Sequence, residues 1–313
     1  MENLQNGPGR DGNPTASFDY PAEPAGVSSS LRCHPGAVRA ENQDCVGRSQ
    51  SELGELFLVL DGVGGRSGGA IASSLGLAEY QRFIASVPAG SDPLDALQQA
   101  TTWVNQCIDE AKASAAPELQ EMASTVALVL LSGDKIYVGH IGDSRVYRMR
   151  GGQLELLTRD HSVVQRMIAE GILTEEQAQT HPSSHILTRS LGQTDAVLEL
   201  SSHQLQPNDV ILLCSDGLWG YSPASGIEAA LAAPGATSTS IADSLLQLAL
   251  SGDAGDNISI VVIRAGEAWS APTQSREAAS APARRGRLYM VLAFIVLLAG
   301  AAYYMLVWSP WAS

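Results

Sequence analysis

Apolar residues in the middle of the chain fall into short unbroken runs. They cover residues 56–60, 125–131, 135–141, 145–150, 210–214 and 258–263. Runs of this length, rich in Val, Ile and Leu and bounded by Gly, Ser or Asp, predict strands buried on both faces. Ser132-Gly133-Asp134 separates two of them and predicts a hairpin, hence antiparallel pairing. Apolar positions recur with helical spacing over 69–87, 93–115, 162–170, 175–180 and 238–250. Thr174 with Gln177 three residues on predicts a capping box at the start of the fourth of these helices.

The longest apolar stretch is different in kind. Residues 288–308 read LYMVLAFIVLLAGAAYYMLVW, without a charge. As a helix this spans roughly 30 Å, the thickness of a bilayer's hydrocarbon layer. Arg284, Arg285 and Arg287 precede it and no Lys or Arg follows. The positive-inside rule then puts the preceding body in the cytosol. The expectation is a single-pass anchor in the cytoplasmic (inner) membrane, with 309–313 as a short extracytoplasmic tail. Residues 265–287 are rich in Ala, Ser and Pro, a flexible linker with a basic end. Residues 1–29 lack an apolar run and hold several Pro and Gly, which predicts a disordered leader without a signal peptide. One folded domain of 30–264 remains.

Charge narrows the chemistry. The 313 residues carry 19 Lys and Arg against 33 Asp and Glu, a formal charge of −14, which disfavours a nucleic-acid partner. The four cysteines form no CxxC pair, so a zinc knuckle is not expected. Four aspartates share one context. Asp61 follows LFLVL, Asp143 follows IYVGHIG, Asp216 follows VILLCS, and Asp256 precedes Asn257 and the run ISIVVI. Each is held by a strand yet stands at its end. Asp-Gly is also a common turn dipeptide, and Arg145 offers Asp143 an ion pair, so each alone has a structural explanation. Gathered together, the four would repel one another unless hard divalent cations neutralised them. Arg39, five residues before Asp44, offers a fork for two phosphate oxygens or a solvated surface charge.

VRAENQD, LDGVGG, HIGDSRVY, CSDGL and GDNIS occur in this order, with LTRDHSVVQRMIAEGILTEEQA and HPSSHILTRSLG between the third and fourth. The set resembles the metal-dependent PP2C-type (PPM) serine/threonine protein phosphatases in their compact bacterial form, over about 30–264. The resemblance implies an α+β fold, an αββα sandwich of two antiparallel sheets flanked by helices, to which the C-terminal transmembrane helix is added. It implies hydrolysis of phosphoserine and phosphothreonine in proteins by a water activated between two Mn2+ or Mg2+ ions, with a possible third. In that scheme Asp61 bridges both ions, the Gly62 carbonyl binds the second, and Asp216 and Asp256 bind the first. Asp143 joins Asp216 at the third site, Asp44 holds water in the outer shell, and Arg39 binds the substrate phosphate. Partners would be phosphorylated proteins, among them a membrane Ser/Thr kinase and its substrates.

Three positions depart from the family pattern. Val63 stands where some members carry a histidine proposed as general acid. Gln43 stands where many carry glutamate, and Arg66 replaces a histidine. The alternative that Val63 and Gln43 support is a catalytically weak or inactive membrane-tethered module that binds phosphoproteins or switches partners. Cys214, beside the site, is expected to be a core thiol, and His161 a structural imidazole.

Overall fold

This computed structural model describes residues 15–21, 26–63, 68–193, 196–267 and 269. Two sheets stack face to face. In spatial order the first contains β1 (Ala16–Tyr20), β2 (Val27–His34), β12 (Ile258–Ala265), β11 (Val210–Cys214), β8 (Arg145–Arg150) and β9 (Gln153–Leu156). The second contains β10 (Glu199–Gln204), β7 (Lys135–Ile141), β6 (Val126–Ser132), β4 (Gly54–Val63) and β3 (Asp44–Ser51), with the short β5 (Ala123–Ser124) paired to the end of β4. Every pairing among the described strands is antiparallel. Helices α1 (Gly68–Ser86) and α2 (Pro93–Ser114) cover the second sheet. Helices α6 (Ala224–Leu231) and α7 (Ser238–Ser251) cover the first. The short α3 (Val163–Ala169), α4 (Glu175–Gln179) and α5 (Asp216–Trp219) lie in the connections.

The unbroken apolar runs now have their reason. Successive strand side chains point to opposite faces. On β4, Leu56, Leu58 and Leu60 pack against Tyr80, Ile84, Leu97 and Val104 of the helices. Phe57 and Val59, between them, face the other sheet and meet Leu31, Ile211 and Val261. Strands β11 and β12 do the same toward α7, through Leu212, Cys214, Ile260 and Val262. Three apolar layers thus hold four structural layers, the sandwich the resemblance implies. The predicted hairpin is present, with Ser132 paired to Lys135 and Gly133 at φ +61°. The capping box at Thr174 is present as well.

Two boundaries move. Residues 16–20 and 27–29, assigned above to a disordered leader, lie in β1 and β2. Phe18 and Tyr20 pack on the inter-sheet core, and Arg32 of β2 is buried against Asp19 and Asp243 at 2.8 Å each. At the other end β12 runs to Ala265, and Trp269 packs into the same core, so part of the expected linker belongs to the folded body. Among the described residues no helix is long and apolar enough to cross a membrane. The expected anchor 288–308, its tail 309–313 and Arg284, Arg285 and Arg287 fall outside the described residues, as do residues 1–14.

Candidate metal centre

The strand ends that carry the aspartates come together at one end of the sandwich, drawn from both sheets. Asp61 stands near the end of β4 and is paired across the ladder with Asp44, the first residue of β3. Asp216 opens α5 just after β11, and Asp256 precedes β12, the strand paired to β11 in the first sheet. Asp143 sits in the turn from β7 to β8, where the chain crosses between sheets. A hydrogen bond ties the two sheets at this point: the Ser215 hydroxyl donates to Asp44 Oδ2 at 2.7 Å. Asp44 and Asp143 are buried, whereas Asp61, Asp216 and Asp256 are half-buried, so these three line the open side.

Backbone contacts fix the geometry. The Asp61 N–H donates to Thr125 Oγ1 at 3.0 Å, and its carbonyl accepts from the Thr125 N–H at 2.8 Å and from Ser124 Oγ at 3.0 Å. Gly62 has no room for a side chain. A Cβ there would stand 2.3 Å from the Gly69 carbonyl oxygen and 2.6 Å from that of Gln43, so only glycine lets β4 end against the start of α1. Asn257 clamps the loop that carries Arg39 and Asp44. Its Nδ2 donates to the carbonyls of Pro35 and Glu41 at 3.0 Å each, and its Oδ1 accepts from the Gln43 N–H at 2.8 Å. Arg39 is exposed at the mouth, with its guanidinium 2.7 Å from Asp256 Oδ2 and 3.3 Å from the Gly255 carbonyl.

Arg145 pairs with Asp160 rather than with Asp143, and its charge only partly offsets the shift of Asp143. It forks onto Asp160 at 3.0 and 2.8 Å and lies over the Trp219 ring at 3.6 Å. The Trp219 indole in turn donates to the Asp143 carbonyl at 3.1 Å. The electrostatic result is strong. Burial, then the charges of Asp44, Asp216, Asp143 and Asp256, raises Asp61 well above the carboxylate range. Burial, then Asp216 and Asp160, does the same to Asp143. Burial and Asp256 push Asp216 up to about 6, against partial relief from Asp61, His185 and Arg39. Burial pushes Asp44 up to about 7 despite the hydroxyls of Ser215 and Ser259. Carboxylates held this close while resisting ionisation form a donor set for cations. All-oxygen ligands, with a backbone carbonyl beside them, suit hard ions such as Mg2+ or Mn2+, so the residues present fit the metals expected.

Sequence reasoning missed some residues of the site. Ser215 and Asn257 stand inside CSDGL and GDNIS, but nothing in those runs shows the contacts they make, and Thr125, at the head of an apolar run, carries no mark. His185, within HPSSHILTRSLG, stands near enough to Asp216 to relieve part of its shift. His161 is buried beside the Asp143 turn, as a structural imidazole should be. Cys214 is fully buried, and burial raises its thiol pKa, as expected of a core thiol rather than a nucleophile.

Fold and site together define a two-sheet αββα protein whose sheet ends build a carboxylate centre for divalent cations. The profile of the protein phosphatase 2C family matches residues 37–247, and the chain belongs to that family. The serine/threonine protein phosphatase PstP of Mycobacterium tuberculosis is 34% identical over 233 residues, 74% of this chain and 44% of that protein. The chain thus spans less than half the length of that curated relative. The crystal structure of the Mycobacterium tuberculosis phosphatase PstP/Ppp aligns with a TM-score of 0.70 at 33% identity, covering 77% of this chain and 99% of that one. A crystal structure of the PstP catalytic domain with two manganese ions aligns at 0.68 and 32% identity, covering 76% and 97%.

Proposed function

We propose that this chain hydrolyses phosphoserine and phosphothreonine esters in proteins with Mn2+ or Mg2+. The observation that carries this reading is the convergence of Asp61, Asp143, Asp216 and Asp256 from both sheets, with Arg39 beside them. The manganese-bound PstP relative supports it. Asp61 would bridge two ions, the Gly62 carbonyl would hold the second, and Asp216 and Asp256 the first. Asp143 with Asp216 would hold a third, weaker one, and Asp44 would order water beyond them. Such ions supply a water of lowered pKa and positive charge beside the transferring phosphoryl group. The chain's own residues do the rest. Arg39 receives two phosphate oxygens in its fork, and its contact with Asp256 aims it at the cation site. Asn257 holds the Arg39 loop against β12 so that the phosphate meets the centre at a fixed distance. Val63, an alkyl side chain, donates no proton, so the leaving seryl oxygen takes its proton from water or another group.

The test is phosphate release from phosphopeptides by the chain with Mn2+, Mg2+ or EDTA. Turnover is expected with either metal, and none with EDTA. Asp216→Asn is expected to lower kcat by at least about a hundredfold, since a ligand to the reacting centre is lost. A folded chain that binds phosphopeptide without turning it over in any metal would instead identify a phosphoprotein-binding module. We also infer that residues 288–308 anchor the phosphatase in the cytoplasmic membrane with its body in the cytosol. Their length, their lack of charge and the arginines before them support this. Substrates near that membrane, a Ser/Thr kinase among them, are the natural targets.

A further inference from the structure

His161 makes contacts that the reaction does not use. Both backbone polar groups of Gly142, the residue before Asp143, bond to it. The His161 N–H donates to the Gly142 carbonyl at 2.8 Å, and His161 Nδ1 accepts from the Gly142 N–H at 3.3 Å. A neutral imidazole whose Nδ1 accepts carries its proton on Nε2. That nitrogen lies 3.1 Å from Glu199 Oε2 on β10, to which it donates, with the Arg189 guanidinium 3.5 Å from the same nitrogen. Glu199 therefore fixes both the tautomer and the ring angle. The His140 ring stacks on His161 with centroids 4.6 Å apart and planes 23° apart, and its Nε2 donates to the Arg159 carbonyl at 2.7 Å.

His140, His161 and Glu199 bring three ligand atoms within 4.8 Å of one another. They do not make a metal site of their own. A bound ion lies in the plane of each imidazole that holds it, and two nearly parallel stacked rings cannot share one. Both rings also have a nitrogen committed to a backbone group. The trio is instead a brace. Gly142 itself is at φ +101°, with the Thr125 side chain 2.6 Å from where its Cβ would be, so the turn has one narrow conformation to hold.

We propose that His161, locked by Glu199, is the positioning residue that sets where the Gly142–Asp143 turn stands, and hence how tightly the third cation is held. The turn is gripped from two sides. Trp219, one turn of α5 beyond Asp216, holds the Asp143 carbonyl. His161 holds Gly142 and, through its own carbonyl, accepts from the Thr188 N–H at 2.8 Å. Asp143 and Asp216 share the third cation only if the turn and α5 stay in register. The two tighter positions, built on Asp61 and Asp256, do not depend on this brace. The inference rests on the third-cation reading of Asp143.

The experiment is a calorimetric titration of Mn2+ into the metal-free full chain, with thermal unfolding in EDTA as the control for folding. The unsubstituted chain is expected to show two tight binding events and one weak one. His161→Leu removes both the acceptor and the donor and is expected to weaken only the weak event, by about tenfold, the cost usual for losing a group that orients a metal ligand. His161→Asn keeps an acceptor where Nδ1 stands and is expected to restore most of that loss. Glu199→Leu, at an exposed position, should weaken the same event by about threefold, a smaller effect of the same kind because the ring keeps its bond to Gly142. Asp143→Asn separates the two claims. If it leaves the weak event intact, the third-cation reading fails. If it abolishes the weak event while His161→Leu and Glu199→Leu leave it unchanged, the positioning role is overturned. Should His161→Leu fail to fold, Glu199→Leu decides alone.

Discussion

A single aspartate at a strand end is ordinary, but several facing one space dominate its titration. Without metal, burial and the neighbouring carboxylates push Asp216 up to about 6 and Asp44 up to about 7 from an ordinary value of 3.8. Unfolding frees both groups to ionise at that ordinary value. Between about pH 4 and 7 the folded state therefore binds more protons than the unfolded one, and stability falls as pH rises. Each shift is worth on the order of a few kcal/mol. We expect the melting temperature in EDTA to fall as pH is raised from 5 to 7.5. With saturating Mn2+ it should rise over that range, because protons then compete with the ions for the same oxygens. Burial lowers the pKa values of His34, His161 and His203, and these groups pull the other way over this range, whereas Asp19 and Glu79, with lowered values, are ionised in both states above about pH 5. Comparison with Asp216→Asn isolates the site, and that variant should show a shallower slope in EDTA. A melting temperature in EDTA that rises with pH, equally in both proteins, would remove the claim that these carboxylates repel one another. The aspartates were legible in the sequence because a charge after an apolar strand is conspicuous. Arg145 was misleading, since its nearness in sequence to Asp143 hid the partner it takes, Asp160, fifteen positions on.

Elements were legible in proportion to how much of them is apolar. Strands β4, β6, β7, β11 and β12 are buried on both faces and read as runs. Strands β1, β2 and β10 read ASFDY, VSSSLRCH and ELSSHQ, with too many polar positions for any hydrophobic pattern. What pays for burying β2 is local pairing. Ser30 Oγ donates to Asp19 Oδ1 at 2.8 Å, and Arg32 reaches Asp19 from β1 and Asp243 from α7. Such partners are distant in sequence and leave no mark in it. The consequence is testable by truncation. A chain beginning at residue 30, where the sequence alone places the domain, lacks β1 and the first three residues of β2. Arg32 would lose one of its two carboxylates, and the core would lose Phe18 and Tyr20. Losing a partner of a buried charge and two aromatic contacts costs several kcal/mol. For a domain of this size, we expect melting at least about 5 °C below that of a chain beginning at residue 15. Equal melting of the two would show that β1 contributes nothing to the body.

On the scale of the whole molecule, the net charge bears on the proposed anchor. A body at −14 would be repelled by an anionic membrane surface, so adsorption through charge would not hold it there. The basic residues just before 288–308 reverse this only locally, at Arg284, Arg285 and Arg287. An anchor joined to the body through residues rich in Ala, Ser and Pro would keep the metal centre within reach of membrane proteins. Two outcomes separate this from a soluble enzyme. The full chain should remain with the membrane pellet after a high-salt and alkaline wash, because a spanning helix, unlike a surface charge contact, does not depend on ionic strength. Removal of 288–308 should release the protein while leaving kcat and KM on a soluble phosphopeptide within about twofold, since every residue placed at the metal centre lies at or before Ser259. Recovery of the full chain in the wash would rule out the anchor. A large loss of activity on removal would mean that the segment completes the folded body instead. The second outcome is the more informative, because it would assign 288–308 to the packing of the catalytic domain, as Trp269 already is.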